Sequence, residues 1–199
     1  MDSLPFGEES TVGFKANLPD SKELWDRGWP QSPEEFEMLV EVYIDRLVLS
    51  AYRRLGNFHD AEDVVQEVFV RAYTERSKRK KISLAGPYLY RMVINACTDL
   101  LRKRKRLGMT IKNISVEEIP SGLKNPYDET AAAEKLHRVE KLLRRLPKVQ
   151  AEVIRLRVFD ELRLSEIAEV VGCSIDTVRS RLRYGFGKLR KIVSREHRE

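Results

Sequence analysis

Asp60, Asp63 and Glu67 recur at spacings of three and four, which on a helix sets three carboxylates along one side with Glu62 and Gln66 beside them. Carboxylates so grouped could hold Mg²⁺ for phosphodiester cleavage. They could equally form an acidic ridge that docks on a basic protein surface. The rest of the chain favours the ridge. Its three histidines, His59, His137 and His197, form no cluster, and neither a glycine-rich phosphate loop nor a Cys/His metal spacing occurs. Catalysis is therefore not expected, and no metal or other cofactor is implied.

A second group carries the opposite charge. Arg76, Lys78, Arg79, Lys80 and Lys81 form a basic loop, and the helical stretch after it holds Tyr88, Arg91, Asn95 and Arg102. Cations that track a phosphate backbone, with Tyr88 or Tyr90 to stack on a base, suit a separated nucleic-acid strand. Core packing is the other reading of these tyrosines.

A third group lies in GCSIDTVRSRLRYG, Gly172 to Gly185, where Ser174 stands in cap position before a helix. On a helical wheel Ile175, Val178 and Leu182 face inward. Asp176, Thr177, Ser180 and Tyr184 lie opposite, flanked by Arg179, Arg181 and Arg183. Short polar side chains bordered by guanidinium groups suit a helix in a major groove, the strip reading bases and the arginines holding phosphates. Gly185 and Gly187 are expected to weaken the end of this helix.

Charge is distributed to match. The net +6 conceals 8 acids against 3 bases in residues 1–36 and 7 against 3 in residues 37–70. Residues 71–106 then carry 12 bases and 2 acids, and the final 25 residues 8 bases and 3 acids. Two basic blocks separated by other surface point to a polyanion touched at two places.

The elements that must hold these residues are helical. Ser32-Pro33-Glu34-Glu35 reads as a cap, a first-turn proline and a capping box. Phe36, Leu39, Val40, Tyr43, Ile44, Leu47, Val48, Ala51, Tyr52 and Leu55 follow at helical spacing, up to a stop near Gly56. A second helix from about Asp60 buries Ala61, Val64, Val65, Val68, Phe69 and Ala72, and a third runs from about Pro87 to Arg106. The period is lost over residues 107–128, where Gly108, Pro120, Gly122 and Pro126 fall. Helices are then expected over Glu129–Leu146, Pro147–Phe159, Leu164–Val171 and Ser174–Val193, the last two joined at Gly172 as a helix-turn-helix.

The expected fold class is all-α, with two small helical domains, 32–106 and 129–199, joined by a flexible linker at 107–128. The C-terminal domain carries the helix-turn-helix. Residues 1–31 form an acidic N-terminal extension; Trp25 and Trp29 are unusual for a free tail, so partial docking stands beside disorder as a reading. The 199 residues, 42% apolar, suffice for two such cores. No apolar run reaches the roughly 18 residues of a membrane span, and no leader pattern opens the chain. Membrane insertion is not expected. Cys97 and Cys173 are read as reduced thiols in a cytoplasmic protein.

Four stretches, in order, resemble bacterial sigma factors of the small two-domain extracytoplasmic-function (ECF) group. DAEDVVQEVFVRAY (Asp60 to Tyr73) resembles the helix by which such factors bind core polymerase. PYLYRMVINACTDLLRKRKR (Pro87 to Arg106) resembles the promoter-melting and minus-10 helix. LLRRLPKVQAEVIRLRVFDEL (Leu142 to Leu162) and LSEIAEVVGCSIDTVRSRL (Leu164 to Leu182) resemble the second domain, whose helix-turn-helix reads the minus-35 element. Tyr88 stands where many relatives have tryptophan, and Ile94 where arginine is frequent.

The resemblance implies a transcription initiation factor that directs core RNA polymerase to promoter DNA and is held off by an anti-sigma factor. It assigns Asp60, Asp63, Gln66 and Glu67 to the polymerase. It assigns Arg76, Lys78, Arg79, Lys80, Lys81, Tyr88, Arg91, Asn95 and Arg102 to the minus-10 region. Ser174, Thr177, Arg179, Ser180, Arg181, Arg183 and Tyr184 fall to the minus-35 element. A stand-alone helix-turn-helix regulator is the alternative, but it would normally dimerise on paired half-sites, and no strong spare apolar helix serves that purpose.

Overall fold

The computed structural model describes residues 28–75, 82–108 and 138–196. Helix α1, Pro33–Leu55, starts where its signals place it: the Ser32 hydroxyl accepts from the Glu35 N–H at 3.2 Å. The return bond of the expected box falls one residue earlier, the Glu35 carboxylate accepting from the Gln31 N–H at 2.7 Å. Gly56 ends the helix in the left-handed region, φ +73°, which a side chain would strain.

Helix α2, Phe58–Thr74, begins before the expected Asp60 because Asn57 caps it, its side chain accepting from the Asp60 N–H at 2.9 Å. All six apolar positions expected inside are buried. Helix α3, Ala85–Arg106, holds Pro87 in its first turn, where the missing N–H breaks no helical bond. Between these helices lies a core that includes Phe36, Tyr43, Leu47, Phe69 and Leu89. Trp29 docks on it: 3% exposed, its backbone N–H donating to the Ile82 carbonyl at 3.2 Å and its ring edge-on to Tyr88 with centroids 5.4 Å apart. Trp25 and the short helix expected near Ser21 to Arg27 lie outside the described residues, as does most of the expected linker.

In the second unit residues 138–143 are helical; the expected start at Glu129 is outside the described residues. Helix α4, Lys148–Val158, is followed by α5, Leu164–Val171, and α6, Ile175–Glu196. Gly172 makes the α5–α6 turn at φ +64°. Val178 is fully buried and Leu182 half-buried, as the wheel requires. Ile175 is not inward: it is 38% exposed. As the first residue of α6 it has no preceding turn to cover, and a helical side chain leans towards the turn N-terminal to it.

All the regular elements among the described residues are helices. The two units also pack together. α3 lies against α5, and Leu162, Ile167 and Val170 share one buried apolar cluster with Tyr90, Val93 and Cys97.

Candidate functional site

The acidic ridge is present on α2. Asp63, Gln66 and Glu67 are exposed, opposite the buried Val64, Val65 and Val68. Glu67 pairs with Arg71 one turn on at 3.0 Å, an exposed contact of at most a few tenths of a kcal/mol. Asp60 departs from the group. Its half-buried carboxylate binds the Arg104 guanidinium of α3, a bond that raises Arg104 above its ordinary pKa. Asp60 therefore ties α2 to α3, and three of the four candidates form the open face.

On α3, Arg91 and Asn95 are exposed one turn apart, and Arg102 is exposed with Asp99 at 3.2 Å. Tyr88 is half-buried against Trp29. Tyr90 is a core residue, 1% exposed, and its hydroxyl pKa is pushed well up, by burial first and then by Asp160, against the pull of nearby arginines. The structure thus removes Tyr90 as a stacking platform and leaves Tyr88. Arg76, Lys78, Arg79, Lys80 and Lys81 lie outside the described residues. Sequence reasoning passed over Lys103, Lys105 and Arg106, which are exposed at the end of α3 and extend its basic face. The charge run itself was the available signal.

The third group is held by α6 and its cap. Ser174 accepts from the Thr177 N–H at 3.2 Å, and the two hydroxyls lie 2.9 Å apart. Arg179 donates to Asp176 at 2.7 Å. The Arg183 guanidinium stands 5.1 Å from the centre of the Tyr184 ring, and Arg181 reaches Cys173 Sγ at 3.6 Å. Arg179, Arg183 and Tyr184 are exposed, while Thr177, Ser180 and Arg181 are half-buried. All seven candidates are brought together, with short polar groups between longer cationic ones. Such a surface can hold phosphates and present hydrogen-bonding groups to base edges.

Among the described residues no three His, Cys, Asp or Glu side chains converge as metal ligands would, and no helix is long and apolar enough to cross a membrane.

Comparison with known proteins places both units. Residues 39–107 match the family model for sigma-70 region 2, and residues 136–189 that for sigma-70 region 4. The chain is similar to the ECF RNA polymerase sigma factor SigW of Bacillus subtilis: 31% identical over 165 residues, covering 79% of this chain and 88% of that protein. Two solved structures share the fold. CnrH, in complex with the cytosolic domain of CnrY, gives a TM-score of 0.62 at 22% identity, covering 87% of this chain and 94% of CnrH. The sigma factor RpoE, in complex with the anti-sigma factor NepR from Bartonella quintana, gives 0.63 at 21%, covering 81% and 98%.

Proposed function

The chain belongs to the ECF RNA polymerase sigma factors, and from that premise we propose how its residues divide the work. It is a transcription initiation factor that binds core RNA polymerase and directs it to specific promoters. The first unit, 32–106, docks on the polymerase through Asp63, Gln66 and Glu67, with Asp60 bracing that face through Arg104. Its α3 face (Tyr88, Arg91, Asn95 and Arg102), together with Arg76, Lys78, Arg79, Lys80 and Lys81, contacts the minus-10 region and its opened strand. Residues 107–128 link it to the second unit, 129–199. There Ser174, Thr177, Ser180 and Tyr184 read the minus-35 bases, while Arg179, Arg181 and Arg183 hold phosphates.

The observation that carries this reading is the segregation of charge. An exposed acidic face on α2 and exposed basic faces on α3 and α6 fit three different surfaces: one basic protein and two stretches of DNA. The protein performs no chemistry of its own; the polymerase forms the phosphodiester bonds. An anti-sigma factor holds it off, and it works in the cytoplasm. Run-off transcription with bacterial core enzyme, with and without the protein, tests the assignment.

A further inference from the structure

Trp29 stands outside the residues assigned to DNA, yet it holds one of them. Its ring meets that of Tyr88 edge-on, with centroids 5.4 Å apart and planes at 82°. Tyr88, Arg91, Asn95 and Arg102 recur at spacings of three, four and seven, which makes them one stripe along α3. Trp29 abuts the end of that stripe, where α3 begins. At 3% exposed, it offers no surface of its own to a nucleotide.

Short-range contacts fix Trp29 on both sides. Pro30 follows it and restricts its backbone to extended conformations. Its backbone N–H donates to the carbonyl of Ile82, the residue directly after the basic stretch Arg76–Lys81, at 3.2 Å. Its carbonyl accepts from the Gln31 side-chain amide at 2.6 Å. The Gln31 N–H in turn donates to the Glu35 carboxylate in the first turn of α1, at 2.7 Å. The segment before α1 is thereby tied to α1, to the approach to α3 and to Tyr88 at once.

A plug that merely closed this edge of the core could be aliphatic. Leucine would fill space with no polar atom, whereas the indole buries an N–H that has no partner among the described residues. What the indole offers beyond volume is a ring. Edge-on ring pairs are directional, so the contact favours one orientation of Tyr88 where an aliphatic neighbour would favour none. Stacking on a base gains from a ring already oriented, because a side chain that must be immobilised on binding gives up affinity.

We infer that Trp29 is a positioning residue for minus-10 recognition, acting through Tyr88, which it holds in the orientation that stacks on an opened base. The inference deepens the division of DNA contacts proposed above and rests on it.

The test is a titration of holoenzyme, the full chain on bacterial core polymerase, with a fluorescent single-stranded oligonucleotide. The oligonucleotide carries the minus-10 sequence of a promoter found by run-off transcription. Tyr88→Ala should bind it roughly tenfold more weakly, through the loss of one stacked base. Trp29→Leu, which keeps apolar volume but no ring, should bind roughly three- to tenfold more weakly, about what immobilising one side chain costs. Trp29→Phe keeps a ring and should stay within about twofold of the wild type. Trp29→Leu with Tyr88→Ala should bind no worse than Tyr88→Ala alone, since Trp29 has nothing to orient once that ring is gone. Helical circular dichroism, and binding to a duplex carrying only the minus-35 element, should be unchanged in every variant.

Equal behaviour of the leucine and phenylalanine variants, additive losses in the double variant, or loss of helical signal in Trp29→Leu would each overturn the inference and show a core plug. A weakened Tyr88→Ala beside a wild-type Trp29→Leu would sink the inference and leave the minus-10 assignment of Tyr88 standing. Unchanged binding in Tyr88→Ala would remove that assignment, and the inference with it.

Discussion

Ile154 packs against the bare Cα of Gly185: a Cβ built there would lie 2.7 Å from Ile154 Cδ1 and 3.4 Å from Gln150 Cβ. The glycine expected to weaken α6 thus lets α4 and α6 approach. Among the described residues, Gly187 has no side chain or neighbouring element within 4 Å of such a Cβ. The two glycines should respond with opposite sign. Gly185→Ala should lower stability by about 1 kcal/mol net, overpacking exceeding the helix-propensity gain. Gly187→Ala should raise it by up to about 1 kcal/mol. Urea unfolding of both variants is the check, and equal stabilisation would contradict the packing.

Reversal of charge on the acidic ridge separates docking from folding. Asp63→Lys with Glu67→Lys should weaken holoenzyme assembly by roughly a few hundred-fold, through the removal of charge pairs and the creation of like-charge repulsion. Circular dichroism should be unchanged, because both side chains are exposed. Asp60→Asn should behave differently, lowering the melting temperature by freeing Arg104 of α3. Co-purification with core polymerase and thermal melts distinguish the two.

On α6 the polar and cationic residues should divide their effects. Thr177→Ala and Ser180→Ala should change the preferred upstream bases. Arg179→Ala and Arg183→Ala should weaken binding to all sequences and reduce the salt slope by about one unit for each phosphate no longer neutralised. Asp176→Asn should strengthen non-specific binding, since Asp176 holds Arg179 at 2.7 Å and repels phosphate. An unchanged salt slope in the arginine variants would remove α6 from the groove.

The two free thiols should react at different rates. Cys97 is 1% exposed, and burial is the main cause that pushes its pKa up to about 11. At pH 8 it is almost wholly in the unreactive thiol form. Cys173 is half-buried beside Arg181. Maleimide labelling of native protein, followed by peptide mass analysis, should find Cys173 modified first.

Much of this was legible in the sequence, because the deciding signals are local. The Ser32 cap, the Gly56 and Gly172 stops and the three-and-four spacing of apolar residues in α1 and α2 all act within a turn or two. The groups on α2 and α6 were legible for the same reason, each lying on one helix. What escaped depends on distant partners. Nothing near Gly185 announces Ile154, nothing near Asp60 announces Arg104, and Arg53 and Asp160 stand 107 positions apart. Tyr90 illustrates the same limit: period and spacing left it as surface or core, and only the packing of other helices buries it.

The central claim is that this chain confers promoter specificity on a polymerase. Run-off transcription on fragments of its own genome, with purified core polymerase and with or without the protein, measures that directly. Discrete transcripts should appear only when both are present, and should vanish with Asp63→Lys and Glu67→Lys. Sequence-specific binding by the protein alone with no gain in transcripts, or cleavage of the template, would contradict the account.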